Sequence, residues 1–120
     1  MPNSRLAEVY KENPSLEPLI FKIKVDNQKL KDKINFIWLI GSYAKGTARK
    51  DSDTDLMIVQ NEDLEDWKNE LHYFAYLLPN IKLQTHRFLN ERWQKIKQKR
   101  SVFYQGIINE EDHIEVINNA

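Results

Sequence analysis

Apolar positions along this chain follow two rhythms, one helical and one extended, and their order predicts the architecture. Leu64, Trp67, Leu71, Phe74 and Leu78 step by three, four, three and four residues, which places them on one helical face, and Pro79-Asn80 stops the run. Leu16, Leu19, Ile20, Ile23 and Leu30 also fall near helical spacing, with Ser15 offered as N-cap and Pro18 tolerable in the first turn. Phe21, Ile23 and Val25 alternate, so an extended reading competes there. Residues 4–12 predict a short helix broken at Asn13-Pro14. Residues 35–40 are apolar on both faces, as a strand covered on both sides requires, and Gly41 ends them. Residues 56–60 predict a second strand, with a turn and a short helix from Ser42 between the two. Ile81, Leu83 and Thr85 alternate as a third strand. Residues 88–100 predict a helix burying Phe88, Leu89, Trp93 and Ile96. Ser101 caps a last helix carrying Val102, Phe103, Ile107 and Ile108, and residues 114–117 predict a terminal strand. This order predicts the α+β class: a small mixed β-sheet with helices packed on it.

Composition sets limits. With 120 residues and 41% apolar content, the chain has room for one two-layer core, so residues 1–120 are expected to form a single domain. Eighteen basic and eighteen acidic residues balance, which leaves no global field to recruit nucleic acid or an anionic membrane. The cations of residues 92–100 read as the solvated side of a helix whose apolar side is Trp93 and Ile96, so nucleic acid is not the expected partner. Cysteine is absent, which excludes disulfides and thiolate metal sites and fits a cytoplasmic protein. The amino terminus lacks the apolar core of a signal peptide. The longest unbroken apolar run, residues 36–40, cannot span a bilayer.

The chemistry concentrates in residues 39–60, LIGSYAKGTARKDSDTDLMIVQ. Asp53 and Asp55 lie one residue apart at the start of a strand and so project from one face. Carboxylates that close repel unless a cation sits between them, and two-metal phosphoryl chemistry needs such ligands. Turn composition alone would also place aspartates here, as it does Asp51. Ten residues upstream, Gly41 lets the backbone approach a phosphate with no side chain in the way. Ser42 offers a hydroxyl and N–H to that phosphate, or caps the helix it opens. Lys45 and Arg49 are candidates to steady a triphosphate, and Gly46 suits a left-handed turn. Together these predict a site for a metal-chelated nucleoside triphosphate. His72 is expected at a helix interface, His113 in an acidic loop, and Trp38 in the core.

Apolar strand, Gly41-Ser42, Gly46 after a basic residue, Asp53-Thr54-Asp55 and a second apolar strand resemble the signature of the DNA polymerase beta-like nucleotidyltransferase superfamily. More closely, the stretch resembles the minimal nucleotidyltransferases, small prokaryotic proteins that are often antitoxins of HEPN-domain toxins. The resemblance covers about a fifth of the chain. It implies the nucleotidyltransferase fold, with Asp53 and Asp55 as catalytic metal ligands and Gly41, Ser42, Lys45 and Arg49 on the nucleotide. It also implies Mg²⁺ as cofactor, two ions in a fully active member, and transfer of AMP from ATP to a tyrosine of a HEPN-type toxin within a toxin–antitoxin pair. The family usually carries a third carboxylate on the next strand. Here that strand reads Ile81-Lys82-Leu83-Gln84-Thr85-His86, which leaves Gln84, or else His86, at the third-ligand position. An amide cannot accept a proton at neutral pH. A catalytically degenerate module that masks a partner by contact is therefore the alternative. Nucleotidylation of a small molecule is disfavoured, because relatives with that task carry an extra helical domain.

Overall fold

The computed structural model describes residues 4–49 and 51–119. Two helices come first, α1 (Ser4–Glu12) and α2 (Leu16–Leu30). The helical reading of α2 prevails because Leu16, Leu19, Ile20 and Ile23 share its buried side, whereas Phe21 and Val25 of the competing alternation are exposed. Ser15 does not cap it through its side chain; the Ser15 N–H donates to Asn13 Oδ1 instead. Then follow β1 (Ile34–Ile40), the single-turn α3 (Ser42–Lys45), β2 (Thr54–Gln60), α4 (Glu65–Tyr76), β3 (Leu83–Leu89), α5 (Asn90–Lys99), α6 (Val102–Gln105), a 3₁₀ turn (Glu110–Asp112) and β4 (Ile114–Asn118).

The four strands form one mixed sheet in the order β3-β2-β1-β4. β1 runs antiparallel to both β2 and β4, and β2 runs parallel to β3. A parallel neighbour requires a crossover, and α4 supplies it. In consequence the end of β1 and the starts of β2, β3 and β4 meet at one edge of the sheet.

Strand alternation divides the core in two. Ile37, Leu39, Leu56, Ile58 and Leu83 pack with Leu16, Leu19, Ile20 and Ile23 of α2 and Trp67, Leu71 and Ala75 of α4, an aliphatic layer closed by helices. The opposite face carries Ile40, Met57 and Val59 under Trp93 and Ile107, with Phe36, Trp38, Phe88, Phe103 and Tyr104 around them. This second layer is aromatic: Trp38 and Trp93 meet edge to face and Trp93 contacts Tyr104, arrangements that add to area burial. Trp38 is half-buried there and stacks on His113.

Two boundaries differ from the sequence pattern. Phe88 and Leu89 belong to β3 and not to the following helix, and Leu89 is 48% exposed. The strand persists because the β2–β3 ladder continues to Gln60↔Leu89, so pairing decides where local spacing was ambiguous. Ser101 does cap α6, accepting from Tyr104 N–H, but that helix is one turn long. Its Val102 is 89% exposed, while Ile107 and Ile108 lie beyond it.

Candidate functional site

The site stands at the sheet edge where β1 ends and β2 and β3 begin. Gly41 follows the last residue of β1 with φ 77° and ψ −156°, a region open essentially to glycine alone. An ideal Cβ built there would lie 2.5 Å from Asp55 Oδ2. The missing side chain is thus what lets the backbone after β1 and the Asp55 carboxylate stand together. From Gly41 the chain turns directly into α3, whose Tyr43 and Ala44 are buried while Ser42 is half-buried and Lys45 exposed. Gly46 closes that turn at φ 78° in the left-handed region, as its position in the sequence suggested.

Asp55 sits within β2, opposite Ile40 on one side and Gln84 on the other. It faces the aromatic layer, one pleat from Met57, and its side chain is 24% exposed. Asp53 precedes the strand by one residue, is exposed, and shares the face of Asp55 by alternation. Thr54 between them points the other way and is fully buried. Ser52 steadies the approach: its Oγ accepts from Arg49 N–H at 2.7 Å, and its own N–H donates to Arg49 O. Asp51 is exposed in the turn.

The structure therefore brings Gly41, Asp55, Gln84 and His86 together, with Ser42 and Asp53 immediately adjacent in sequence. Gln84 is the cross-strand neighbour of Asp55 but is exposed. His86 lies across from Met57 in register, and its ring turns back so that Nε2 is 3.4 Å from Asp55 Oδ1. Lys45 lines a cleft of about 360 Å³ on the α1 side of α3, with Glu8, Glu12 and Glu111, and Arg49 is exposed in the following loop. One positioning residue was not legible in the sequence. The Arg5 guanidinium donates to Ala44 O at 2.7 Å, to His113 O at 2.7 Å and to the carbonyls of Glu110 and Glu111. It ties α3 to the turn before β4, and no local pattern in residues 4–12 announces a contact with residues 44 and 110–113.

Residues 22–114 match the family model for the polymerase beta nucleotidyltransferase domain, more than half of the chain. The chain belongs to this nucleotidyltransferase family. No curated protein matches it. Among solved structures it is similar to a candidate nucleotidyltransferase from Sulfolobus solfataricus, at 10% identity and a TM-score of 0.45, over 96% of this chain and 87% of that one. Among the described residues no helix is long and apolar enough to cross a membrane.

The donor set of this nucleotidyltransferase domain fits one divalent cation better than two. Asp53 and Asp55 offer carboxylate oxygens on one face, and the space beside Asp55 Oδ2 is kept clear by Gly41. Among the described residues, however, no three His, Cys, Asp or Glu side chains converge as a ready-made metal group. A cation held here would draw its remaining ligands from a bound phosphate chain, from water or from a side chain beside Asp55.

Proposed function

We propose that this domain binds a divalent-metal complex of a nucleoside triphosphate and transfers the nucleoside monophosphate to a hydroxyl of a protein acceptor. The observation that carries the reading is the junction of Gly41 with Asp55, where a backbone freed of its Cβ meets a carboxylate at the start of an antiparallel neighbour. Gly41 and Ser42 cradle the phosphates, with Arg49 in the loop that follows, while Lys45 ends α3 on its α1 side and would reach them only by swinging out of the cleft it lines. Asp53 and Asp55 would hold the cation, which would supply charge neutralisation to the triphosphate and a lowered pKa to an attacking hydroxyl. The acceptor oxygen forms its bond to the α-phosphorus as the α–β phosphoanhydride bond breaks. Pyrophosphate leaves with the electron pair, and the acceptor's proton passes to solvent. The family resemblance favours ATP and Mg²⁺, a tyrosine acceptor on a HEPN-type toxin, and an antitoxin role in the cytoplasm.

A second reading is favoured by one observation: the residue beside Asp55 on β3 is Gln84, whose amide cannot act as base. In that reading the domain binds nucleotide and partner without transfer. Calorimetric titration of ATP with Mg²⁺ and with EDTA, on the wild type and on Asp55→Ala, tests the shared part. Binding is expected with Mg²⁺ only and is expected to vanish in the variant. Absence of binding by the wild type would defeat the reading. Labelled acceptor from α-labelled ATP in the presence of the partner then separates enzyme from binding module.

A further inference from the structure

We propose that His86 is a ligand of the cation at this site, so that the site takes Mn²⁺ or a later first-row divalent metal in preference to Mg²⁺. The inference rests on the nucleotide reading above and gives it a metal. Asp55 Oδ1 and His86 Nε2 stand 3.4 Å apart, long for a charge-assisted hydrogen bond, which closes to about 2.7–2.9 Å. Two donors each about 2.1 Å from one metal ion are separated by roughly 3.0–3.4 Å across octahedral or tetrahedral angles. The pair is a long hydrogen bond in this structure, and its spacing also suits two neighbouring ligands of one cation.

The His86 side chain is 40% exposed and has an aromatic neighbour on one flank. Phe103 lies 5.9 Å from the His86 ring and 5.5 Å from Phe88, the next residue on the same face of β3. Phe103 and Phe88 thus give one side of the imidazole an apolar wall, while its Nε2 stays toward Asp55. Gln84, nearer in register, is exposed and brings a neutral oxygen. Chemistry then separates the metals: carboxylate and water suit Mg²⁺, whereas an imidazole nitrogen favours the softer divalent ions, whose affinities rise from Mn²⁺ toward Cu²⁺. Asp53 is exposed and the three side chains do not yet converge, so the triphosphate supplies the other donors and the metal arrives with the nucleotide.

The chain holds three histidines, which makes the test internally controlled. The imidazole nitrogens of the ¹⁵N-labelled full chain are followed by NMR during addition of Zn²⁺ with ATP present, Zn²⁺ serving as a diamagnetic imidazole-seeking probe. His86 Nε2 is expected to shift to its metal-bound position. His72, bonded to Thr85 on the other face, and His113, stacked on Trp38, should stay put. In parallel, ATP is titrated with Mn²⁺ and with Mg²⁺. His86→Asp, which restores an all-oxygen donor set, should lower the Mn²⁺-over-Mg²⁺ preference by about tenfold. An unshifted His86 resonance under ATP binding that still requires Asp55 would overturn the ligand assignment and leave the nucleotide reading standing. Failure of ATP to bind with any of the three metals would overturn both.

Discussion

The two faces of β2 obey different rules, although they belong to one seven-residue strand. Thr54, Leu56, Ile58 and Gln60 are all buried on the aliphatic side, where α2 and α4 close the layer completely. Asp55, Met57 and Val59 occupy the other side, with Asp53 just before the strand, and here cover is partial. α5, α6 and their aromatic residues seal Met57 and Val59, while the carboxylate end stays open. The aliphatic face sets the strand in place. The aromatic face carries its core residues at one end and the part-exposed Asp55 carboxylate at the other. A period-two pattern thus allows a rigid support directly behind a reactive group, one residue away along the chain.

Gly41→Ala is the largest single disturbance this comparison predicts, because it strikes the meeting point of support and chemistry. Alanine at φ 77°, ψ −156° is strained by about 1–3 kcal/mol, and its Cβ would sit on Asp55 Oδ2. The carboxylate can swing aside, so folding should survive with a lowered urea midpoint, while metal-dependent ATP binding is lost. A variant that melts and binds like the wild type would show that neither the backbone angle nor the space beside Asp55 requires glycine at position 41.

Thr54→Val sharpens the contrast from the other side. The Thr54 hydroxyl, on the face opposite Asp55, is fully buried and has no hydrogen-bond partner, and a buried unsatisfied group costs about 1–3 kcal/mol. Valine has the same shape without that oxygen, so the variant should gain about 1 kcal/mol in denaturant unfolding with ATP affinity unchanged. Loss of nucleotide binding without loss of stability would show that Thr54 serves the open face after all.

Most of the architecture was legible because it rests on local periodicity. The amphipathic steps of α4, the buried run of β1 and the Gly41-Ser42 to Asp53-Asp55 spacing each announce themselves within a few residues, and the sheet edge brings Gly41 and Asp55 together. What escaped depends on distant pairing. Phe88 and Leu89 are extended because β2 offers them a ladder, and residue-by-residue spacing carries no record of that neighbour. Arg5 ties the back of α3 to a turn that lies far along the chain from both. The turn of His86 toward Asp55 instead of across from Met57 is a side-chain choice, which strand alternation narrows to a face but not to a partner.

The smallest predicted effect uses the histidine on the closed side. His72 of α4 touches Thr85 of β3, its Nε2 3.0 Å from Oγ1, and burial holds its pKa below the ordinary value of 6.5, with the cations Lys68 and Arg87 adding to the shift. In the unfolded chain the same ring titrates near 6.5. Below that pH the unfolded state takes up a proton that the folded state refuses, so the contribution of this group to stability is full above pH 6.5 and declines as the pH falls toward the folded pKa. His72→Gln cannot take up that proton and should flatten this part of the pH dependence. Urea midpoints measured between about pH 8 and pH 5 on both proteins decide it. Parallel curves would mean that the His72 ring is as accessible folded as unfolded, and that the helical cover over β3 is looser than the aliphatic layer behind β2.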